Sequence, residues 1–423
     1  MTDCNFQDPK NLKDILELLD KLYNASSLKD SVGQKLVQDV QKYFKDAEKF
    51  YGSRSGFLSD VFTKSSFIRI TILDRSGTYD KYNDLTDRSH TGHEDCVKKI
   101  SEALKKFLPR GYAALYYLYF MCSKTDFSGM HGGQWSNNNV KASGQKLYQW
   151  LTDNRLVTPE LIERGFVDRE LDTSNDGSTV ASTISQIIKH DTPGPLQSAL
   201  SHLLLACPWH DSLLGHACLF LSTFCDQVKD HGEKFQNYFS SSDFEELQRV
   251  CSTVKENLQP FTHASGLPLS AVCHSNSDLY SGLWNPEAIP LYVKWLKENL
   301  DSIIESLTLM SGECTKWDSE NLQTAKTAGP FLYGFVFKGS WSDGTFKSQL
   351  PSKISSLTNS GPGSLQSLQK SLEKFSTGNP AATAGGVVTG LLGTGGLGAG
   401  AAYGLNLFGF KNLVTGLISG LLK

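Results

Sequence analysis

The sequence predicts an all-α protein: a multi-helix bundle followed by a glycine-rich, apolar C-terminal membrane-anchor segment. Two observations carry the bundle. Apolar residues recur at three- and four-residue spacing through most of residues 1–338, the period of a helix with one buried face. Strand-like alternation is confined to one short stretch with no clear partner. A third observation carries the anchor, since no charged side chain stands between Phe375 and Phe410.

Taken in order, Leu12, Ile15, Leu16, Leu19, Leu22 and Tyr23 form a helical stripe behind Asp8-Pro9. A second helix follows Ser26-Ser27, with Leu28, Val32, Leu36, Val40, Tyr43, Phe44, Ala47 and Phe50 on one face and a stop near Gly52. Ile68, Ile70 and Ile72 alternate with Arg69 and Thr71, which predicts a short strand over Phe67–Leu73. Further helices are expected at about 93–107, 111–122, 140–153, 180–190, 195–206, 210–231, 242–257, 287–311 and 363–375. The polar run at 168–179 reads as an internal boundary or exposed loop. The Ser-, Gly- and Pro-rich stretch from Gly339 to Gly363 reads as a stalk, so that 339–375 ends in a short helix and 376–423 forms the membrane segment.

Within that segment, residues 393–398 spell GTGGLG, the glycine pattern of dinucleotide-binding loops. Such a loop needs an acidic residue about 20 positions further on to hold a ribose. No Asp or Glu follows Glu373, and the few residues after Gly398 are too short for a βαβ unit. A spanning helix needs about 20 largely apolar residues, and Val387–Phe410 meets that length. Gly386 and Gly390, and Gly396, Gly400 and Gly404, fall at four-residue spacing, which lets helix backbones approach in lipid and suggests self-association. A low-complexity tail is the bland alternative. Ala381-Ala382-Thr383 offers a site for a glycolipid anchor, but the apolar region is long, glycine-broken and carries Lys411, so a retained peptide anchor is favoured.

The net charge is −3, and Lys411 and Lys423 are the tail's only charges, which leaves −5 for the rest. Nothing supplies the one-signed basic face that nucleic acid requires. The amino terminus lacks a basic region followed by an apolar run, so no secretory signal is recognisable.

The nine cysteines are spread widely, and an odd number leaves at least one unpaired within the chain. Cys207, Cys218 and Cys225 share a helix face if that helix is continuous, too far apart to bridge one another. Each is either core filling or paired to another segment, with Cys251, Cys273 and Cys314 the nearest candidates and the connectivity open. Asn24-Ala25-Ser26 is an N-x-S acceptor for glycosylation at Asn24.

No constellation argues for catalysis or a metal. His90, His93 and Cys96 have ligand-like spacing without a fourth ligand, and read better as a helix start. Cys207 and His210 flank Pro208 at a helix N-terminus. His131-Gly132-Gly133 resembles an oxyanion-loop fragment, but no G-x-S-x-G elbow accompanies it. No catalytic residue, metal ligand or cofactor is assigned, although an enzyme without a local motif stays open as a third alternative.

Three stretches stand out, CPWHDSLLGHACLFLSTFCDQVK (207–229), TAGPFLYGFVFKGSW (327–341) and GAAYGLNLFGFKNLVTGLISGLL (400–422), the second and third of them specific rather than compositional. With LKDILELLDKL (12–22), they make the chain resemble, over essentially its whole length, the secreted antigen 1 family of Babesia, parasites of red blood cells. The resemblance implies a non-enzymatic antigen on the parasite surface or exported toward the infected host cell. Its partners would be a lipid bilayer, through the tail, and a host protein or antibody. A tail-anchored cytosolic adaptor with reduced thiols is the principal alternative.

Overall fold

A computed structural model describes residues 4, 6–45, 58–73, 81–82, 85, 93–123, 135, 146–153, 159–163, 165–167, 169–171, 173, 175–188, 194–262, 269–270, 280, 283–317, 329–337 and 345–377. The chain divides into two units, Met1–Ser376 and Thr377–Lys423. The first is built of helices: α1 (Leu12–Asn24), α2 (Ser26–Gln41), α3 (Ser59–Ile72), α4 (His93–Cys122), α5 (Leu147–Asp153), α6 (Pro159–Glu163), α7 (Gly177–Ile188), α8 (Pro195–Leu203), α9 (Leu214–Asp230), α10 (Gly232–Phe235), α11 (Ser241–Thr262), α12 (Ile289–Glu313), α13 (Leu350–Thr358) and α14 (Leu365–Glu373). One antiparallel pairing of two-residue strands, Leu269–Ser270 against Val336–Phe337, is the β structure among the described residues. The all-α expectation holds at that level.

The amino-terminal half packs around α4. Its partners are α1, α2 and α7, while α3 lies across α1 and α7. The side chain of Asn11 caps α1 by accepting from Asp14 N at 2.9 Å, and Leu12, Ile15, Leu16, Leu19 and Leu22 are buried as the spacing predicted. The predicted strand at 67–73 is instead the end of α3. Val61, Phe62, Ser65, Ile68 and Ile72 recur at three- and four-residue spacing and are buried, whereas Phe67 and Ile70 are exposed. Tertiary packing on α1, reinforced by Arg69 donating toward Asp20 at 3.0 Å, overrides the local β preference of Ile and Thr.

The expected break between residues 107 and 111 is absent. Helix α4 runs through Pro109, which has no N–H to offer the carbonyl four residues back. Both flanks of that proline are anchored, because Phe107, Leu108, Tyr112 and nearly every residue to Cys122 are buried. Helices α9 and α11 form the most extensively packed pair among the described elements, with α12, α13 and α14 laid against them.

Two boundary expectations meet folded structure, although Arg169, Glu170 and Asn175 of the first are exposed as its loop alternative has it. Residues 168–179 lie within the first unit: Val167 and Leu171 are buried, and Leu147 N donates to Thr173 O at 3.0 Å. The stretch read as a stalk carries folded structure in its described part. Leu350, Ile354 and Leu357 of α13 and Leu365, Leu368 and Leu372 of α14 are fully buried against α11 and α12. Gly363, at φ +81°, makes this approach possible, since a Cβ there would stand 2.2 Å from Thr253 Cγ2. Phe375 then stacks on Tyr238 at 5.0 Å, and Ser376 N donates to Tyr238 O at 3.0 Å, so the first unit continues to its last residue. The polar composition of 339–363 resembles a linker only because its few leucines and isoleucines sit one helical turn apart.

Among the described residues, no helix is long and apolar enough to cross a membrane. Gly386, Gly390, Gly396, Gly400 and Gly404, with the anchor they were read from, lie outside the described residues.

Candidate functional site

The stretches 207–229 and 327–341 meet at one buried junction. The first, CPWHDSLLGH, leaves the core at the 3-10 turn Leu204–Ala206, passes Pro208, and re-enters through the 3-10 turn Asp211–Leu213 before α9. The second, GPFLYGF, forms the 3-10 turn Gly329–Tyr333, closed by Gly334 N donating to Phe331 O at 3.1 Å and Phe335 N to Pro330 O at 3.2 Å. Gly334 has φ +73°, and a Cβ on it would lie 2.3 Å from Ser212 O. A side chain is excluded there twice over, by the left-handed backbone and by contact with the other stretch.

The floor of the junction is the aromatic run of α4. Phe331 sits 5.9, 6.0 and 5.2 Å from the rings of Tyr116, Tyr117 and Phe120, and the ring of His216 is edge-on to Tyr112 at 5.7 Å. Such offset and edge-to-face arrays add to the burial of large apolar side chains. The sequence GYAALYYLYFMC is aromatic all round because it is enclosed all round.

Polar groups are trapped in the same place. Ser212 Oγ and His210 Nδ1 are 2.6 Å apart. The other ring nitrogen of His210 and both ring nitrogens of His216 are buried without a hydrogen-bond partner among the described residues. Burial pulls His210 down to about 3, with the positive charge of Arg110 and then His216 acting the same way. Burial alone pulls His216 to about 4. A serine hydroxyl against an imidazole has the outline of a nucleophile and its base. An imidazole held near 3 is a feeble base at neutral pH, and no carboxylate among the described residues orients its far nitrogen. The arrangement ties two loops to the core.

The cysteines are placed differently from the expectation. Cys4 and Cys96 form a disulfide across a sequence separation of 92, with Cα atoms 5.4 Å apart. His93, on the same first turn of α4, bonds Ser31 Oγ through Nε2 at 2.8 Å, and no group of metal-ligand residues occurs among the described residues. His90, His131, Gly132, Gly133 and Cys273 lie outside them.

Cys207, Cys218, Cys225, Cys251 and Cys314 are buried free thiols, as is Cys122. Cys207 does not share a helix with the other two, because α9 begins at Leu214. Burial pushes the thiols of Cys207, Cys218 and Cys314 up to about 12. Cys225 of α9 and Cys251 of α11 are both buried where these two helices pack, and burial together with Cys225 pushes the Cys251 thiol up. No sequence signal marked the Cys4–Cys96 pair, since neither residue belongs to a recognisable cysteine spacing.

Asn24 ends α1, exposed, with its side-chain amide donating to Asp20 O at 2.8 Å.

No family model, no curated protein and no solved structure matches the chain.

Proposed function

We propose that this chain is a non-enzymatic antigen that presents a helical domain to a host, either held at a membrane by its apolar carboxyl-terminal segment or released from it. The observation that carries the reading is the Cys4–Cys96 disulfide. Disulfides between distant segments persist in oxidising surroundings and are rare where glutathione and thioredoxin act. The resemblance of 207–229, 327–341 and 400–422 to secreted antigen 1 proteins of Babesia supports the same direction. Ligands on this reading are a host protein or antibody at the exposed helical surface and lipid at the tail, with no cofactor and no nucleic acid.

The second reading, a tail-anchored cytosolic adaptor, draws on the six buried free thiols among the described residues, a state that reducing surroundings maintain. Protease treatment of intact infected cells, followed by detection with an antibody to residues 1–340, separates the two. The antigen reading expects the signal to be digested without permeabilisation. A signal that survives until detergent is added overturns it in favour of the adaptor. Extraction of membranes with alkaline carbonate tests the anchor, which expects retention, and release by phospholipase would replace the peptide anchor with a glycolipid.

A further inference from the structure

Helices α9 and α11 run back on one another through α10 and the turn after it, and their register is fixed at two points. A Cβ on Gly232 would touch Phe244 Cζ at 3.1 Å, so these two residues face each other at the closed end. Further along, Lys255 pairs with Asp226. Cys225, next to Asp226, and Cys251, one helical turn before Lys255, are both buried where α9 packs on α11, and Cys225 lies near enough to act on the Cys251 thiol. The remaining free thiols have other surroundings. Cys314 Sγ donates to Met310 O at 3.0 Å, Cys207 lies within the field of Lys105 and Glu102, and Cys122 lies beside Tyr117.

We propose that Cys225 and Cys251 form a second disulfide, clamping α9 to α11 in the carboxyl-terminal half of the bundle, as Cys4–Cys96 clamps the amino-terminal segment to α4. The inference rests on the exported reading only for where the bond forms, not for whether the geometry permits it. The chemistry is thiol–disulfide exchange with a glutathione-type disulfide as oxidant. One cysteine thiolate attacks the oxidant, releasing a glutathione thiolate and leaving a mixed disulfide. The second then attacks the protein sulfur of that mixed disulfide and releases the other thiolate. Two protein protons end on two reduced glutathione molecules, and the oxidant carries away the two electrons. Only a thiolate attacks, and both sulfurs are shut in the helix interface. Exchange therefore takes place while the helices are assembling and is slow once they have closed.

The test is peptide mapping of the full-length chain, refolded from the reduced, unfolded state with oxidised glutathione, then blocked with maleimide under denaturing conditions and digested without reduction. The expected result is a linked peptide joining Cys225 to Cys251 in addition to the one joining Cys4 to Cys96. A linked Cys4–Cys96 peptide with maleimide on both Cys225 and Cys251 overturns the inference. In Cys251→Ala, Cys225 is expected to appear carrying maleimide or glutathione; its linkage to any other cysteine would also overturn the assignment. The same map on protein from the cells that make it separates this inference from the reading beneath it. Both pairs linked in the refolded chain but all four cysteines free in cells supports the clamp and overturns the exported reading. Cys4–Cys96 linked in cells beside a free Cys225 and Cys251 overturns the clamp and leaves that reading standing.

Discussion

The ring of His216 stands edge-on to Tyr112 at 5.7 Å, fully buried, with neither nitrogen bonded to any described residue. The histidine is neutral in the fold, beside His210 and the charge of Arg110 that lowers His210 further. The unfolded chain takes up a proton at about the ordinary 6.5, the folded chain only at about 4. Stability from this site is therefore complete above 6.5, falls as pH drops from 6.5 to 4, and is flat below. A shift of this size corresponds to roughly 3 kcal/mol, with His210 acting in the same sense. His216→Leu removes the proton uptake and two unbonded polar atoms. Urea titrations at pH 7.5 and pH 4.5 are expected to show the variant at least as stable as wild type at the higher pH and less pH-sensitive by that margin. An unchanged pH dependence would sink the assignment.

Asp39 gathers three lysines. It accepts from Lys42 at 2.8 Å, Lys105 at 3.0 Å and Lys35 at 3.1 Å, while Lys105 also reaches Glu102 at 2.6 Å. Burial works against the charge, yet the bonds from Lys42, Lys105 and Lys35 outweigh it and hold the carboxyl at about 2, below its usual 3.8. The contribution is present above 3.8 and is lost as pH falls toward 2. Asp39→Ala leaves Lys105, itself almost fully buried, without that partner between α2 and α4. The expected cost is about 3 kcal/mol, read as a lower urea midpoint with an unchanged slope. Asp39→Ala together with Lys105→Met should recover most of the loss, because an apolar pair of similar volume carries no buried charge.

Gly334 is the tightest point of the loop junction, at φ +73° and 2.3 Å from Ser212 O for any added Cβ. Gly334→Ala is expected to cost about 2–4 kcal/mol, combining left-handed backbone strain with a clash that only movement of the 329–335 turn relieves. Loss of near-ultraviolet dichroism from the Tyr116, Tyr117 and Phe331 array at a temperature where wild type retains it would register the change. A variant with wild-type melting contradicts the packing described above.

The Cys4–Cys96 bridge closes a loop of 92 residues. Constraining so long a loop in the unfolded chain is worth about 4 kcal/mol on chain-entropy grounds. Cys4→Ser with Cys96→Ser should lower stability by a comparable amount, and reducing agent should destabilise wild type more than the double variant by about that margin. Equal sensitivity of both proteins to reductant would place the stabilising bond elsewhere.

Much of the first unit was legible as periodicity. The buried faces of α1, α2, α11 and α12 are the apolar stripes of the sequence, because a helix with one wet side must repeat near 3.6 residues. Misreadings arose where local preference and context disagree. Ile68, Ile70 and Ile72 have strand-like alternation, but α1 and α7 offered α3 a helical seat. Separate helices at 93–107 and 111–122 were expected, but one helix, α4, carries Pro109 inside it by the packing on either side. The stretch from Gly339 to Gly363 read as a stalk because its polar residues outnumber the apolar ones that dock in its described part.

By itself the sequence determined the helical class and the glycine-rich apolar composition of the tail, since each follows from composition and short-range spacing. It also marked 207–229 and 327–341 as unusual without saying why. Only the tertiary structure decided that these two stretches touch at Ser212 and Gly334, that Cys4 meets Cys96, and that Cys225 faces Cys251. Such contacts join residues far apart along the chain, and their pairing is set by how helices pack into one another's grooves, which no local repeat encodes.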